Sequence, residues 1–351
     1  MAPTQTRRLI LANPPEASPV LSGDDATFKM ETVDLPEIAQ GQVLIKTQYL
    51  SNDPAQRGWI QAGVDPERMY TRPVFKGEPM VTFAVSEVIE SKSEKLKAGQ
   101  LVSARTTWSE YDVVDASTCN PVQIDEKAGI KPTHFVGALG GTGLTAYYGL
   151  VDVVGFKAGE TLVVSGAAGA TGSMVVQIAK HIVGAKRVIG IAGGEKKCKW
   201  VESIGADVCI DYKSADWKQQ LIKATEGFVD VYFDNVAGPI LDVMLTRVKR
   251  FGRIAACGGV SGYNGQGQSI TNWMEIIKNR INVKGFIVTD AIMAGKAGEF
   301  LGKLVGGIKE GKIQIGEESE TIVPTKFEDI PTTWCKLFDG SNQGKLVTQL
   351  I

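Results

Sequence analysis

The chain has 351 residues, more than the roughly 250–300 at which a single hydrophobic core stops growing, so two domains are expected. Apolar residues make up 43% and charged residues 22%, which is typical of globular proteins and not of disordered, fibrous or membrane proteins. Lys plus Arg number 38 against 39 Asp plus Glu, a balance that excludes the basic surface of a nucleic-acid- or anionic-lipid-binding protein. We therefore expect a small-molecule partner.

Neither terminus carries an export or anchoring signal. The only apolar run in residues 1–15 is 9–12, which is too short for a signal peptide or a membrane span. The last four residues match no prenylation or peroxisomal signal. The five cysteines, at positions 119, 198, 209, 257 and 335, form no closely spaced pair. We expect a cytoplasmic protein without membrane association, whose cysteines are isolated and reduced.

The first third of the chain has the pattern of a β-rich unit, and alternating strands and helices follow it. Runs typical of strands at 43–47, 84–89, 101–104 and 111–114 are separated by Gly and Pro. Residues 143–154 then predict a helix. The predicted strands after it are 161–165, 187–192, 208–211, 229–234, 252–256 and 282–288. The predicted helices among them are 172–183, 196–204, 215–225, 239–250, 272–280 and 294–310.

This alternation predicts an α/β fold built on a doubly wound parallel sheet with helices on both faces. We assign a smaller, mostly β catalytic domain to residues 1–139 and a dinucleotide-binding domain to residues 140–312. Residues 313–351 contain strand-like runs and no further β-α-β unit, so we expect them to return to the first domain. Ligand is expected at the C-terminal ends of the parallel strands.

A glycine-rich turn joins the first predicted parallel strand to its helix. Residues 165–172 read Ser-Gly-Ala-Ala-Gly-Ala-Thr-Gly, with Ala167 where the usual dinucleotide fingerprint has its first glycine. Gly169 lets the backbone approach a pyrophosphate, Gly172 lets the helix pack closely, and backbone amides of the turn, including that of Ala170, can bind the anion. The strand before the turn and the helix after it favour a cofactor site over a purely structural turn.

The end of the second parallel strand favours NADPH over NADH. Residues 191–197 read Ile-Ala-Gly-Gly-Glu-Lys-Lys, without the strand-end acid that binds the ribose hydroxyls of NAD. Lys196 and Lys197 complement a 2′-phosphate, and Tyr212 after the third strand can add a hydroxyl. The alternative is that the two lysines form a solvated helix face.

The sequence contains no tetrahedral zinc set, so we expect a metal-free site. The chain has two histidines, His134 and His181, and no Cys-x-x-Cys pair. Residues 259–262 read Gly-Val-Ser-Gly, one residue short of a hydrolase nucleophile elbow. Tyr, Lys, Asn, backbone donors and the hydroxyls of a cofactor remain as groups that can polarise a carbonyl.

Several segments together resemble the zinc-independent medium-chain dehydrogenase/reductase superfamily, most closely its alkenal/enone double-bond reductase branch, which includes the prostaglandin reductases. The likeness covers nearly the whole chain. Its carriers are Ser51 to Pro54, Val85 to Ser91, Gly143 to Tyr147, Ala167 to Gly172, Phe233 to Val236, Phe251 to Gly258, Ser261 to Asn264, and Asn342 with Gly344 and Lys345. The resemblance implies a Rossmann domain and a GroES-like catalytic domain.

The same resemblance implies roles for individual residues. Lys197 and Tyr212 would bind the 2′-phosphate, and Tyr263 would lie near the nicotinamide ribose. Further cofactor contacts are implied for Asn235, Cys257, Phe286, Val288 and Asn342. The implied reaction is conjugate reduction, in which NADPH delivers hydride to the β-carbon of an α,β-unsaturated ketone or aldehyde while Tyr263 or a ribose hydroxyl stabilises the enolate. The alternative for Tyr263 is a loop tyrosine that only packs on the cofactor.

The substrate side departs from the family. Ala55 and Gln56 follow the Asp-Pro pair where members often have Tyr and Met, and Phe83 stands where some have Tyr. We predict an apolar substrate pocket with Asn52, Phe83 and Trp108, although aromatic residues are more often plain core.

Two other functions and one assembly remain open from the sequence. A quinone oxidoreductase of the same superfamily would pass hydride to a quinone carbonyl, and a cofactor-binding protein without catalysis would keep the phosphate turn. The apolar predicted edge strand 282–288 favours a homodimer, because an exposed apolar edge otherwise invites aggregation.

Overall fold

A computed structural model of the chain describes residues 3–265 and 269–351. The chain divides into two compact units. Unit 1 comprises the chain up to Gly137 together with Thr321–Asn342 and Leu346–Ile351, and unit 2 comprises Ala138–Glu320 and Gln343–Lys345. Compared with the boundary expected after residue 312, unit 2 continues to Glu320 and also includes three residues near the C-terminus.

The regular elements follow in chain order. The strands are β1 (Gln5–Leu11), β2 (Phe28–Asp34), β3 (Gln42–Ser51), β4 (Val81–Ser91), β5 (Leu101–Thr107), β6 (Tyr111–Asp115), β7 (Asn120–Pro121), β8 (Thr161–Ser165), β9 (Arg187–Ala192), β10 (Val208–Asp211), β11 (Val229–Asp234), β12 (Val248–Ala256), β13 (Asn282–Gly285), β14 (Glu320–Thr325) and β15 (Lys345–Leu350). The helices are α1 (Gln56–Trp59), α2 (Gly141–Tyr147), α3 (Ala170–Gln177), α4 (Glu195–Ser203), α5 (Trp217–Ala224), α6 (Gly238–Leu245), α7 (Met274–Asn279), α8 (Val288–Met293), α9 (Ala297–Lys309) and α10 (Ile330–Asp339). No helix in the described ranges has the length and apolar content needed to span a membrane.

Unit 2 is built on a six-stranded parallel sheet in the order β10-β9-β8-β11-β12-β13. The chain runs outward from β8 to β10 and then returns to place β11 on the other side of β8, so the strand order reverses between β8 and β11. β8 is buried at every position except the half-buried Thr161, as expected of a sheet covered on both faces. In such a sheet the crevice at the reversal is the expected ligand position.

Unit 1 contains a sheet in the order β14-β15-β3-β4-β5-β7, with β6 also paired to β3; the strands from β15 to β7 and β6 pair antiparallel, and β1 and β2 form a separate two-stranded antiparallel sheet. One core cluster of this unit contains packed aromatic rings: the Trp108 ring lies 4.9 Å from Phe28 and 5.8 Å from Trp334, centroid to centroid. β15 brings the C-terminal segment of the chain beside β3.

Among the element predictions that differ from the structure, three stand out. Helix 239–250 was predicted too long, because α6 ends at Leu245 and β12 begins at Val248. Strand 282–288 ends at Gly285, and Val288 begins α8. The C-terminal segment contains α10, which the sequence analysis missed although Pro331 lies in its first turn and Gly340 caps it in a left-handed conformation.

Candidate functional site

The turn after β8 has the shape expected of a pyrophosphate cradle. Gly166 takes the left-handed conformation, with φ 59°. Ala167, at the first fingerprint position, is fully buried and has no positive φ, so this position does not require glycine. A Cβ on Gly172 would lie 2.2 Å from the Gly166 carbonyl oxygen, so only glycine allows α3 to pack against the turn. The sequence analysis correctly singled out Gly172 but missed Gly166.

The start of α3 leaves backbone amides for an anion. Gly169 is the N-cap residue, no side chain caps the helix, and Ala170 is its first residue. The first N–H groups of a helix have no intrahelical partner, and the helix dipole favours negative charge there. The Gly344 N–H donates to the Ala168 carbonyl at 2.8 Å, which fixes the backbone of the turn from a second segment of unit 2. These residues fit a dinucleotide pyrophosphate.

A buried hydrogen-bond network joins the ends of β8 and β11, where the strand order reverses. Asn235 donates its side-chain amide to the Ser165 carbonyl at 2.8 Å, and its backbone N–H donates to the Ser165 hydroxyl at 3.0 Å. Asp234 accepts from the Ser165 hydroxyl at 3.0 Å and from the Tyr232 hydroxyl at 2.7 Å. Burial raises the pKa of Asp234, although backbone N–H groups of Val236 and Ala237 oppose that shift. The network holds the ends of β8 and β11 together.

The loop after β12 places Tyr263 beside this network. The Cys257 backbone N–H donates to the Asp234 carbonyl at 2.9 Å, and burial raises the pKa of the Cys257 thiol to about 12, so the thiol stays neutral. The Tyr263 hydroxyl accepts from the Gly259 N–H at 3.3 Å, which leaves its own proton free to be donated. Burial also raises the pKa of Tyr263, so the hydroxyl remains protonated and can act as a donor.

Lys197 and Tyr212 follow β9 and β10, the second and third parallel strands in chain order: Lys197 lies in α4, and Tyr212 comes directly after β10. The Tyr212 hydroxyl lies 2.7 Å from the position that a Cβ on Gly193 would take, so the ring extends over the turn that precedes α4. Lys197 is half-buried in the first turn of α4, whereas Lys196 is exposed. Asp211 accepts from the Gly194 N–H at 2.7 Å and from the Lys213 N–H at 2.9 Å, so this acid is engaged by backbone.

Phe286 and Val288 lie after the edge strand β13. The Phe286 ring packs 5.7 Å from Tyr148 and 6.0 Å from Phe233, centroid to centroid, and contacts Gly149 so closely that a Cβ there would lie 2.2 Å away. Its side chain is therefore part of the packing of unit 2. Val288 is half-buried at the start of α8.

Unit 1 holds the three predicted substrate residues in different environments. Trp108 is fully buried in the aromatic core, so its side chain supports the sheet and lines no open surface of unit 1. Asn52 is also buried, and its side-chain amide donates to the Thr348 hydroxyl at 3.0 Å. Phe83 on β4 is 46% exposed. Phe83 is thus the one of the three that presents its side chain at the surface of this unit.

Asn342 is the last residue of unit 1 before Gln343. Within residues 3–265 and 269–351, no group of three or more His, Cys, Asp or Glu side chains is placed to hold a metal ion. The groups described above offer anion binding by backbone amides and lysine, and a neutral phenol as a hydrogen-bond donor at the strand ends.

Comparison with known proteins adds independent findings. A family model described as the N-terminal domain of oxidoreductase matches residues 7–122, and one described as zinc-binding dehydrogenase matches residues 170–301. The chain is similar to the NADPH-dependent curcumin reductase of Escherichia coli (35% identity, 99% of this chain, 97% of that protein). It is also similar to prostaglandin reductase 1 of Bos taurus (34% identity, 93% and 94%). Among solved structures it is similar to CurA of Vibrio vulnificus in complex with NADPH, with TM-score 0.85, 34% identity and coverage of 98% and 99%.

Proposed function

This chain belongs to the zinc-independent medium-chain dehydrogenase/reductase superfamily and is an NADPH-dependent oxidoreductase, and on that premise we propose that it reduces the carbon–carbon double bond of α,β-unsaturated ketones and aldehydes. The observation that carries the proposal is the Tyr263 hydroxyl, a neutral donor at the C-terminal ends of the parallel strands. Two relatives whose names specify curcumin and prostaglandin reduction support the same substrate class.

Different residues of this chain bind different parts of NADPH. The amides at the start of α3 hold the pyrophosphate, and Lys197 with Tyr212 hold the 2′-phosphate. Asn235 and the backbone around Cys257, Phe286 and Val288 contact the nicotinamide half. NADPH, when bound, supplies the hydride that the β-carbon of the substrate receives.

Tyr263 stabilises the negative charge that develops during the reaction. As the β-carbon is reduced, negative charge develops on the carbonyl oxygen of the enone, and the Tyr263 hydroxyl donates a hydrogen bond to that oxygen. A donor aimed at developing charge lowers the barrier more than it strengthens substrate binding, because the bond becomes stronger in the transition state. The enolate is then protonated at its α-carbon by water, which gives the saturated ketone.

The position of the transferred hydrogen tests this reaction. We expect NADPH labelled with deuterium at the transferable position to place deuterium on the β-carbon of the saturated ketone, as read by NMR. Deuterium on the carbinol carbon would make the enzyme a carbonyl reductase. Faster turnover of quinones than of any enone in the same panel would favour the quinone oxidoreductase alternative, and no turnover with any acceptor would favour a binding protein without catalysis.

We also propose that the chain forms a homodimer through the edge of the unit 2 sheet. β13 is the last strand of that sheet, and Val283 on it is 45% exposed. Trp273 and Ile277 on the preceding segment are 62% and 60% exposed, so three large apolar side chains are exposed at or next to this edge. Light scattering at micromolar concentrations should give twice the monomer mass of 37.7 kDa, and Val283→Lys should shift the protein to monomer. A monomer mass for the unmodified chain would exclude this assembly.

A further inference from the structure

Two cysteines that are separated in sequence touch in unit 2. Cys198 on α4 and Cys209 on β10 are 11 positions apart, and their Sγ atoms lie 2.7 Å from each other. A disulfide bond is about 2.05 Å long, so the sulfurs are within about 0.7 Å of bonding distance. The sequence-based expectation that all five cysteines are isolated is therefore wrong for this pair. Both thiols are free.

The two cysteines of the pair differ from each other in exposure and in pKa. Cys209 is partly exposed, whereas Cys198 is 6% exposed beneath it. The hydrogen bond between the two thiols lowers the pKa of Cys198 and raises the pKa of Cys209, so Cys198 is the thiol of the pair that ionises first. A thiol that ionises more readily, in contact with a second thiol, is the arrangement of a redox-sensitive pair, because the thiolate is the nucleophile in disulfide formation.

We propose that Cys198 and Cys209 form a redox-active dithiol, which a hydroperoxide oxidises to a disulfide that weakens NADPH binding. The Cys198 sulfur, which ionises first, attacks the peroxide oxygen and breaks the O–O bond, which yields a sulfenic acid on Cys198 and one molecule of water. The Cys209 sulfur then displaces the sulfenic oxygen, which leaves as a second water while the S–S bond forms. Two thiols are oxidised by two electrons in total, and one hydrogen peroxide is reduced to two waters.

The position of the pair explains why its oxidation would affect the cofactor. Cys198 directly follows Lys197, and Cys209 lies three residues before Tyr212. The two sulfurs therefore connect the two chain segments that carry the proposed 2′-phosphate contacts, and the bond from the Gly194 N–H to Asp211 joins the same segments. Forming the disulfide draws α4 and β10 together and imposes a fixed dihedral angle, so it displaces Lys197 relative to Tyr212. Charge-assisted contacts to phosphate weaken when their geometry is disturbed.

The test combines mass spectrometry with cofactor titration on the full-length protein. After one equivalent of hydrogen peroxide and alkylation of the remaining thiols, we expect a cross-linked peptide pair containing Cys198 and Cys209. The Kd for NADPH should rise by about three- to tenfold and return after dithiothreitol, while the Kd for NADH changes less than twofold, since NADH makes no 2′-phosphate contact. Cys198→Ser and Cys209→Ser should keep the reduced affinity and lose the response, whereas Cys335→Ser should respond like the unmodified protein.

Failure of this inference can be told apart from failure of the proposed cofactor site. The effect on NADPH rests on that site, but the cross-link is scored without cofactor. Oxidation that ends in sulfinic acid on either cysteine without a cross-link would overturn the dithiol. A complete cross-link with an unchanged NADPH Kd would overturn its effect on binding. If Lys197→Ala in reduced protein bound NADPH normally, the 2′-phosphate assignment itself would be at fault.

Discussion

The ends of the parallel strands in unit 2 and the β4 region of unit 1 differ in how their chemistry is specified. In unit 2 the candidate cofactor contacts come from the turn after β8, the start of α4 and the loops after β11 and β12, and many of them are backbone groups. In unit 1 the three candidate substrate residues are side chains, of which Trp108 and Asn52 are buried and Phe83 is exposed.

This difference indicates which part of function follows from topology. A parallel sheet whose order reverses beside β8 creates a crevice with helix N-termini around it, whatever side chains cover its faces. A substrate pocket on an antiparallel sheet depends on which side chains the rest of the domain leaves uncovered. Changes in unit 2 should therefore affect every reaction of the enzyme, and changes at Phe83 should affect some substrates only.

The largest effect is expected from a single methyl group in the phosphate turn. Gly172→Ala places a Cβ 2.2 Å from the backbone oxygen of Gly166, and backbone cannot move aside cheaply. We expect NADPH binding to fall below detection and the free energy of unfolding to drop by about 3 kcal/mol. Gly302→Ala on the exposed side of α9 meets no atom within 4 Å and should stabilise the protein slightly. Thermal melts and fluorescence titration compare the two, and equal behaviour would refute the close packing.

That turn also shows what could be predicted from the sequence. Strands β8 to β11 have the predicted bounds, because buried parallel strands are short apolar runs ended by Gly or polar residues. The role of Gly166 was not visible, since the fingerprint places its first glycine one residue later, at Ala167. The contact between Cys198 and Cys209 was equally invisible, because it depends on how α4 packs on β10.

The predicted element boundaries were wrong where one element follows another after only two residues, as between α6 and β12 and between β13 and α8. The sequence analysis assigned Lys249 and Arg250 to the end of a helix, but both residues lie in β12. Phe251, the next residue of that strand, has φ 62°, and its ring packs against the guanidinium group of Arg280. The core position of Trp108 was open from sequence, because an aromatic residue looks the same whether it packs on Phe28 and Trp334 or lines a pocket. Side-chain exposure is decided by the whole domain.

The second largest effect is expected at Tyr263. Removing its hydroxyl in Tyr263→Phe should lower kcat for enones by roughly tenfold to a thousandfold, the range for losing one donor to a developing oxyanion, with NADPH affinity nearly unchanged. A ribose hydroxyl and water retain part of the rate. Tyr111→Phe on β6 of unit 1 is the matched control and should leave kcat within twofold. Steady-state kinetics decide the matter, and an unchanged kcat for Tyr263→Phe would reduce that residue to a packing role.

The next effect concerns selectivity between cofactors. Lys197→Ala should weaken NADPH binding by about 1.5–3 kcal/mol, roughly ten- to a hundredfold, because a charge-assisted contact to the 2′-phosphate is lost. NADH binding should stay within twofold. Lys199→Ala on the same helix is the control, since Lys199 is exposed and paired with Glu195. An equal loss of affinity for NADPH and NADH in fluorescence titrations would mean that Lys197 stabilises α4 and does not bind the 2′-phosphate.

The smallest effect is expected from a substitution at Phe83 in unit 1, and it tests most directly whether unit 1 sets substrate preference while unit 2 sets cofactor binding. Phe83 is 46% exposed, so covering the rest of its ring with an apolar substrate gains about 1 kcal/mol, and Phe83→Ala should raise KM for large enones about fivefold. Small enones that do not reach the ring should show no change, and NADPH affinity should be unaffected. Phe75→Ala is the matched control, because Phe75 is 43% exposed in the same unit and its ring is covered by Arg72. If both variants raised KM equally for every enone, the loss would reflect a general weakening of unit 1, and the substrate would have to contact a different part of that unit.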